Sequence, residues 1–260
     1  MARTRALLEV LTVLAAAVAA VALVARSPAG RWGREALGYP CLEYLALGLV
    51  ALAAIAVDRR PLAAYGLVRR RLAEQLDTGL RCALPYAAGK ALLFPLGPRQ
   101  AIHSLVEPVV VLGVVVAWAW LLRPRSPGLT AGLLLALAFL PQPQLAALLF
   151  YPLLLAPAEE LLFRGYIQGR LDAAFRRRVE LLGARVGASL WLTAGLFALF
   201  HLINVPALVE GRLAPLWFLI VPTFAWGVAL GYLRARSGSL VPPALCHGVP
   251  QAIAVALFGR

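Results

Sequence analysis

The sequence predicts an all-α polytopic transmembrane bundle of eight or nine helices. Three observations carry this expectation. Of 260 residues, 62% are hydrophobic and 14% charged, whereas soluble domains have roughly 45–50% apolar and about 25% charged residues. Apolar runs long enough to cross a hydrocarbon core of roughly 30 Å recur along the chain, whose mean hydropathy is +0.81. The basic residues, 24 Arg and one Lys, lie between these runs rather than on one polar face. A net charge of +13 would point to nucleic acid in a soluble chain; here it reads as topology, so the lipid bilayer is the expected partner and nucleic acid is not.

The first run extends from Arg5 to about Ala25, longer than the h-region of a leader, and reads as a retained helix rather than a cleaved signal. Further spans read at 40–57, 79–97, 105–122, 128–140, 144–163, 186–208, 215–233 and 240–258. The span at 79–97 is weakened by Arg81 and Lys90, and Pro141 and Pro143 suggest a turn inside 128–163. Alternating from an inside N-terminus assigns 17 arginines to inner segments and six to outer ones, which by the positive-inside rule predicts a multi-pass inner or plasma-membrane protein with a cytoplasmic N-terminus. Cys41, Cys82 and Cys246 show no CxxC spacing and read as buried thiols. No internal repeat and no soluble domain is evident. Residues 1–125 read as N-terminal transmembrane helices.

An ionisable group inside a span costs about 2.5–3.5 kcal/mol on insertion scales, so each is a functional candidate. The candidates are Glu43 and Glu107 near span ends, Arg81 and Lys90, then Glu159, Glu160, Arg164, His201 and His247; His103 reads as a solvated loop residue. In Pro157-Ala158-Glu159-Glu160-Leu161-Leu162-Phe163-Arg164-Gly165, Glu160 and Arg164 are four positions apart with the acid first, the favourable order for a helical ion pair. Glu159 is turned about 100° away and left to face something else. Pro152 and Pro157 remove backbone donors ahead of it, which a hydrated pocket would satisfy. The alternative is an end-of-span cluster at the membrane interface.

If 176–180 is the turn of a helical hairpin, Glu159 and His201 lie at heights differing by about 6 Å and can meet across antiparallel neighbours. Phe197 shares the His201 face, although packing alone accounts equally well for His201 and is the plainer reading of Phe197. The last span opens at Pro242-Pro243 and places His247 and Gln251 on one face, both able to donate hydrogen bonds. Gly227 and Gly231 form a small-xxx-small pattern whose plain reading is close helix packing.

The ordered set Glu159-Glu160-x-x-x-Arg164, Phe197-x-x-x-His201, Phe224-x-x-Gly227-x-x-x-Gly231 and His247 resembles the CPBP family of intramembrane endopeptidases, which includes type II CAAX prenyl proteases and bacteriocin-processing or immunity-associated proteins. The resemblance covers roughly 150–258 and implies a catalytic core at 126–260 with the active site in an intramembrane cavity. It implies Glu159 as the general base activating water, His201 as the group orienting that water, and His247 with Gln251 as donors to a tetrahedral oxyanion, with Glu160, Arg164 and Phe197 in support. The family usually has Asn, sometimes Asp, where this chain has Gln251. No cofactor is expected on this reading. In the metal-dependent alternative Glu159, His201 and His247 would ligate zinc, although no HExxH spacing is present. Neither GxSxG nor GxGD occurs, and Ser237 and Ser239 read as loop residues.

The expected activity is endoproteolysis of a membrane-associated protein or peptide, with prenylated tails, leader peptides and C-terminal sorting tails all within the family's range. An Arg-rich, bacterial-type composition disfavours prenylated substrates, and trimming of a Cys-containing C-terminal anchor is one option. The alternatives are a non-proteolytic immunity or scaffold protein of the same fold, and a proton- or ion-coupled transporter, for which repeat symmetry is lacking.

Overall fold

The computed structural model describes residues 2–68, 71–93, 142–202 and 216–258. Eight helices stand among these residues, with one short β-hairpin, in agreement with the expected all-α membrane bundle. They are α1 (Ala2–Arg26), α2 (Pro28–Leu37), α3 (Cys41–Asp58), α4 (Leu72–Leu93), a long composite helix α5, α6 (Ala188–His201), α7 (Leu216–Ser237) and α8 (Val241–Phe258). The expected spans 105–122 and 128–140, with His103, Glu107 and the boundary at 125/126, lie outside the described residues.

Helix α1 buries only Ala6, Val10 and Ala17, small side chains along one stripe. Leu8, Leu11 and Leu23 point outward, as do Leu49 and Leu52 on α3 and Leu199 on α6. So many outward leucines are stable against lipid and costly against water. Among the described residues, three stretches are long and apolar enough to cross a membrane: Ala2–Arg26, Cys41–Asp58 and Ala146–Ala174.

The segment 26–39, expected as an outer loop, contains α2. Ser27 accepts the Gly30 amide hydrogen bond, Pro28 occupies the first turn, and Gly38 ends the helix in the left-handed conformation (φ 72°). Arg34 of α2 is ion-paired with the buried Glu43 of α3 and also donates to Ala25 O at 2.8 Å. Helix α4 begins at Leu72, seven residues before the expected span, and Arg81 within it is ion-paired with Asp77 at 2.8 Å one turn earlier.

Helix α5 sits between α3 and α8. It runs through Gln142–Phe150, a π-helical turn Tyr151–Leu155, the α-turn Ala156–Glu160, a π-helical stretch Leu161–Ile167 and the last turns Gln168–Ala174, well past the expected end at 163. The first π turn contains Pro152. Proline lacks the donor that an α-turn needs, and a wider turn accommodates the misfit without ending the helix.

The connection to α6 differs from the helical-hairpin turn expected at 176–180. Strands β1 (Arg178–Leu181) and β2 (Ala184–Gly187) pair antiparallel, with Leu181 opposite Ala184. Leu182 (φ 47°) and Gly183 (φ 79°) form the two-residue turn, and positive φ at both central positions matches the right-handed twist of the strands. Helices α6 and α7 then pack closely. A Cβ on Gly227 would lie 3.0 Å from the Ala194 backbone, so glycine there sets the helix separation. Ser237 ends α7, and the buried Ser239 donates to Gln75 Oε1 at 2.6 Å, a structural bond rather than a nucleophile's setting.

Candidate active site

Four elements supply the site: α5 from its α-turn at Ala156–Glu160 through the following π stretch to Gln168, the end of α6, one glycine stripe of α7 and the middle of α8. Glu159, Glu160 and Arg164 are buried inside the protein, with the Glu160 and Arg164 side chains fully enclosed, so the interfacial-cluster alternative does not describe them. Glu160 accepts from Arg164 at 2.9 Å, one turn on. Arg164 also donates to Gly227 O at 3.2 Å and lies 4.1 Å above the Phe197 ring. The guanidinium thus meets a carboxylate, a carbonyl and an aromatic face, which offset the cost of removing it from solvent.

Gln168 continues the same row, donating to Gly231 O at 3.1 Å. Two positions four apart on α5 therefore clasp two glycine carbonyls four apart on α7. Glycines at 227 and 231 have a second role beyond close packing, because a Cβ on Gly231 would come within 3.2 Å of Gln168 Oε1. Gln168 was not singled out from the sequence; its spacing from Arg164 was the available signal.

The expected meeting of Glu159 and His201 is realised across α5 and α6. Glu159 Oε2 lies 3.9 Å from His201 Nε2 and 3.8 Å from His247 Nε2. These separations exceed a hydrogen bond yet are short enough for one small molecule to touch all three groups. His201 Nδ1 is 2.8 Å from Phe197 O, an obligate acceptor, so Nδ1 carries a proton and Nε2 is the nitrogen turned toward Glu159. His247 Nδ1 is 3.0 Å from Glu160 Oε1 and is fixed as a donor in the same way.

Phe197 lies under both imidazoles, edge-on to His201 at 4.4 Å and to His247 at 5.9 Å. It is fully buried and braced by Phe163 at 5.0 Å, so the platform on which the rings stand is rigid. Gln251 follows His247 by one turn on α8, a helix pressed closely onto the first π turn of α5. A Cβ on Gly248 would stand 2.5 Å from Pro152 Cα.

One neighbour comes from outside the residues singled out by sequence. Tyr44 of α3 lies near the Glu159 carboxylate. Glu159 Oε2 and Glu160 Oε2 are buried without a hydrogen-bond partner among the described residues. A tetrahedral zinc shell with ligands at about 2.0–2.1 Å has edges of about 3.3 Å. The measured 3.8 and 3.9 Å are wider, and among the described residues no group of three or more His, Cys, Asp or Glu is arranged to hold a metal ion.

Residues 141–253 match the family model of type II CAAX prenyl endopeptidase Rce1-like proteins. The matched segment contains every residue of the resemblance named above, from Glu159 to His247, and supports a CPBP-family intramembrane protease. No curated protein and no solved structure matches the chain.

Proposed function

We propose that this CAAX-type intramembrane endopeptidase hydrolyses a peptide bond of a membrane-associated protein or peptide tail with water activated by Glu159. The observation that carries the reading is the convergence of the buried Glu159 Oε2 with two imidazole Nε2 atoms at 3.8 and 3.9 Å. Water held there donates one proton toward Glu159 and a second hydrogen bond to the lone pair of His201. As the water oxygen attacks the substrate carbonyl carbon, Glu159 takes the proton and the C=O electron pair moves onto oxygen.

His247 with its Nδ1 held by Glu160 can donate from Nε2 only as the imidazolium. In that form it stabilises the oxyanion, while Glu160, itself paired with Arg164, balances its charge. Such preorganised donors are worth several kcal/mol in a water-poor site. Gln251 adds an amide on the same face of α8, with one methylene more than the family's usual Asn. Glu159 then delivers its proton to the leaving nitrogen, the C–N bond breaks, and the carboxylate is restored. No cofactor takes part in this sequence of steps.

The substrate class we favour is a C-terminal tail or sorting signal, presented at the inner face of the cell membrane by a protein whose N-terminus is cytoplasmic, as the distribution of arginines supports. The test replaces Glu159 by Gln and by Ala and compares membrane proteomes with the wild type. A precursor that accumulates only in the two variants, with both proteins present at wild-type level, is the expected result. Normal processing in either variant overturns the hydrolytic reading and favours a scaffold or immunity role. Metal analysis with a chelator titration checks the mechanism: activity unchanged after metal removal is expected, and loss restored by zinc overturns the water-only steps.

A further inference from the structure

The β-hairpin between α5 and α6 exposes side chains that packing within the fold does not explain. Val179 stands opposite Val186 and Leu181 opposite Ala184, so these four share one apolar face. The β2 half of that face is covered, with Ala184 and Val186 buried in a cluster that includes Val228 and Tyr232 of α7. The β1 half is bare, Val179 being 67% and Leu181 47% exposed. The turn adds Leu182, 42% exposed at φ 47°, a backbone conformation that suits glycine or asparagine and disfavours leucine. A leucine that is both strained and turned outward adds nothing to the interior, so what stabilises it lies outside the fold.

The hairpin is held in place on three sides. Leu182 O accepts from the Tyr232 hydroxyl at 2.8 Å and from the Arg236 guanidinium, both on α7. Arg178 is ion-paired with Asp172 of α5 at 3.3 Å, and Ser189 of α6 donates to the same carboxylate. Arg176, Arg177 and Arg185 are exposed, with no side-chain ion pair or hydrogen bond among the described residues. Residues 176–187 carry four arginines against one glutamate, Glu180, which stands opposite Arg185. A fixed platform therefore presents bare apolar side chains together with uncommitted positive charge.

Its place in the chain names the partner. The stretch Ala146–Ala174 is long and apolar enough to cross a membrane, and the hairpin follows directly after it. Trp191, in the first turn of α6 and 52% exposed, is of the residue type enriched at the headgroup level. Apolar side chains beside free guanidinium groups match the two layers of a phospholipid surface, the acyl boundary and the phosphate. An acidic protein segment would satisfy the arginines and leave Val179, Leu181 and Leu182 bare. We propose that the hairpin is a binding site for the headgroup of an anionic phospholipid, with Arg176, Arg177 and Arg185 on the phosphate and Val179, Leu181 and Leu182 at the acyl boundary. It involves none of the catalytic groups and does not depend on the hydrolytic reading.

The probes are phosphatidylglycerol and phosphatidylcholine. Full-length protein in nanodiscs of an equal mixture of the two is released into a native mass spectrometer, and the lipids that stay bound are counted. A basic residue near an anionic surface is worth roughly fivefold in affinity, so wild type should retain phosphatidylglycerol at least about fivefold over phosphatidylcholine. Arg176→Gln, Arg177→Gln and Arg185→Gln together should lower that preference at least about fivefold. The thermal midpoint in neutral detergent should stay at the wild-type value, because all three side chains are exposed. No preference in wild type overturns the proposal, and so does an unchanged preference in the triple variant, the result expected if an acidic protein segment were the partner. The apolar half is read separately from an environment-sensitive fluorophore on Leu181→Cys in a Cys41→Ala background, since Cys82 and Cys246 are buried. Blue-shifted emission, quenched by phospholipid with a nitroxide high on its acyl chain, is expected; emission as in water overturns the proposal.

Discussion

Two polar clusters hold this bundle together, and they differ in what surrounds them. The interior cluster of Glu159, Glu160, Arg164, His201 and His247 lies among α5, α6, α7 and α8. The second lies where α1, α3 and α5 end near a short 3-10 turn (Leu62–Tyr65). There Arg60 is ion-paired with Asp58 and donates to Gly169 O at 3.0 Å, Tyr65 donates to Asp58 at 2.8 Å, and Arg170 pairs with Glu9 at 2.6 Å. In the second cluster each acid is bonded and each pair is partly exposed, so water can replace any partner that is lost. In the interior cluster Glu160 and Arg164 are wholly enclosed, while Glu159 Oε2, Glu160 Oε2 and Arg164 Nε lack partners among the described residues. Unsatisfied acceptors inside a protein are costly and persist where they have a task. The comparison separates a clasp, whose polar capacity is used up, from a site that keeps capacity in reserve.

The largest difference should come from Arg164→Met. It leaves Glu160 with His247 as its remaining partner in a dry interior, and breaking a buried pair from one side costs about 3–5 kcal/mol. We expect a large fall in thermal midpoint in detergent and loss of correctly folded protein from the membrane. A shift no greater than that of a surface variant would remove the distinction between the clusters. The double replacement Glu160→Leu with Arg164→Met should recover part of the stability without activity, because it removes both charges together.

Gly248→Ala tests the walls of the interior cluster rather than its charges. The added methyl would meet the backbone of Pro152 and Tyr151, which cannot move aside as a side-chain end can. Overpacking of this kind costs about 1–3 kcal/mol. Because His247 is the preceding residue, cleavage should fall more than stability does, which parallel measurement of thermal midpoint and turnover would show. Equal losses in both would mean that the helix shifts without disturbing the imidazole.

What the sequence made legible follows the same division. The Glu160–Arg164 pair was readable because i,i+4 spacing on a helix dictates contact, and the approach of Glu159 to His201 followed from helix rise across antiparallel neighbours. Tyr44 was not readable, since its nearness to Glu159 brings together residues 115 positions apart on helices whose packing no local pattern encodes. The β-hairpin was missed for a local reason. Its turn is Leu182-Gly183 rather than the Asn-Gly or Asp-Gly pair that announces such turns, and a leucine at φ 47° is an unusual choice. The alternation in β2, with Ala184 and Val186 buried and Arg185 exposed, was the weak signal present. In α2, by contrast, the Ser27, Pro28 and Gly38 caps were plain in the sequence but too short a run lay between them to read as a span.

The smallest effect should come from the clasp. Asp58→Asn removes the charge that faces Arg60 but retains an oxygen able to accept from Tyr65, whose phenol is held above its ordinary pKa by burial and then by its bond to Asp58, and so remains a donor through neutral pH. Arg60 keeps its bond to Gly169 O, and water reaches the remaining guanidinium positions. Partly exposed ion pairs contribute about 0–1 kcal/mol, so the thermal midpoint should move little and cleavage should stay within about twofold of wild type. The shift should shrink further at high salt, which screens an exposed pair and leaves an enclosed one nearly untouched. If Asp58→Asn instead abolished cleavage while the protein stayed folded, the junction of α1, α3 and α5 would have to set the position of α5, and with it Glu159, and the boundary between clasp and site would move.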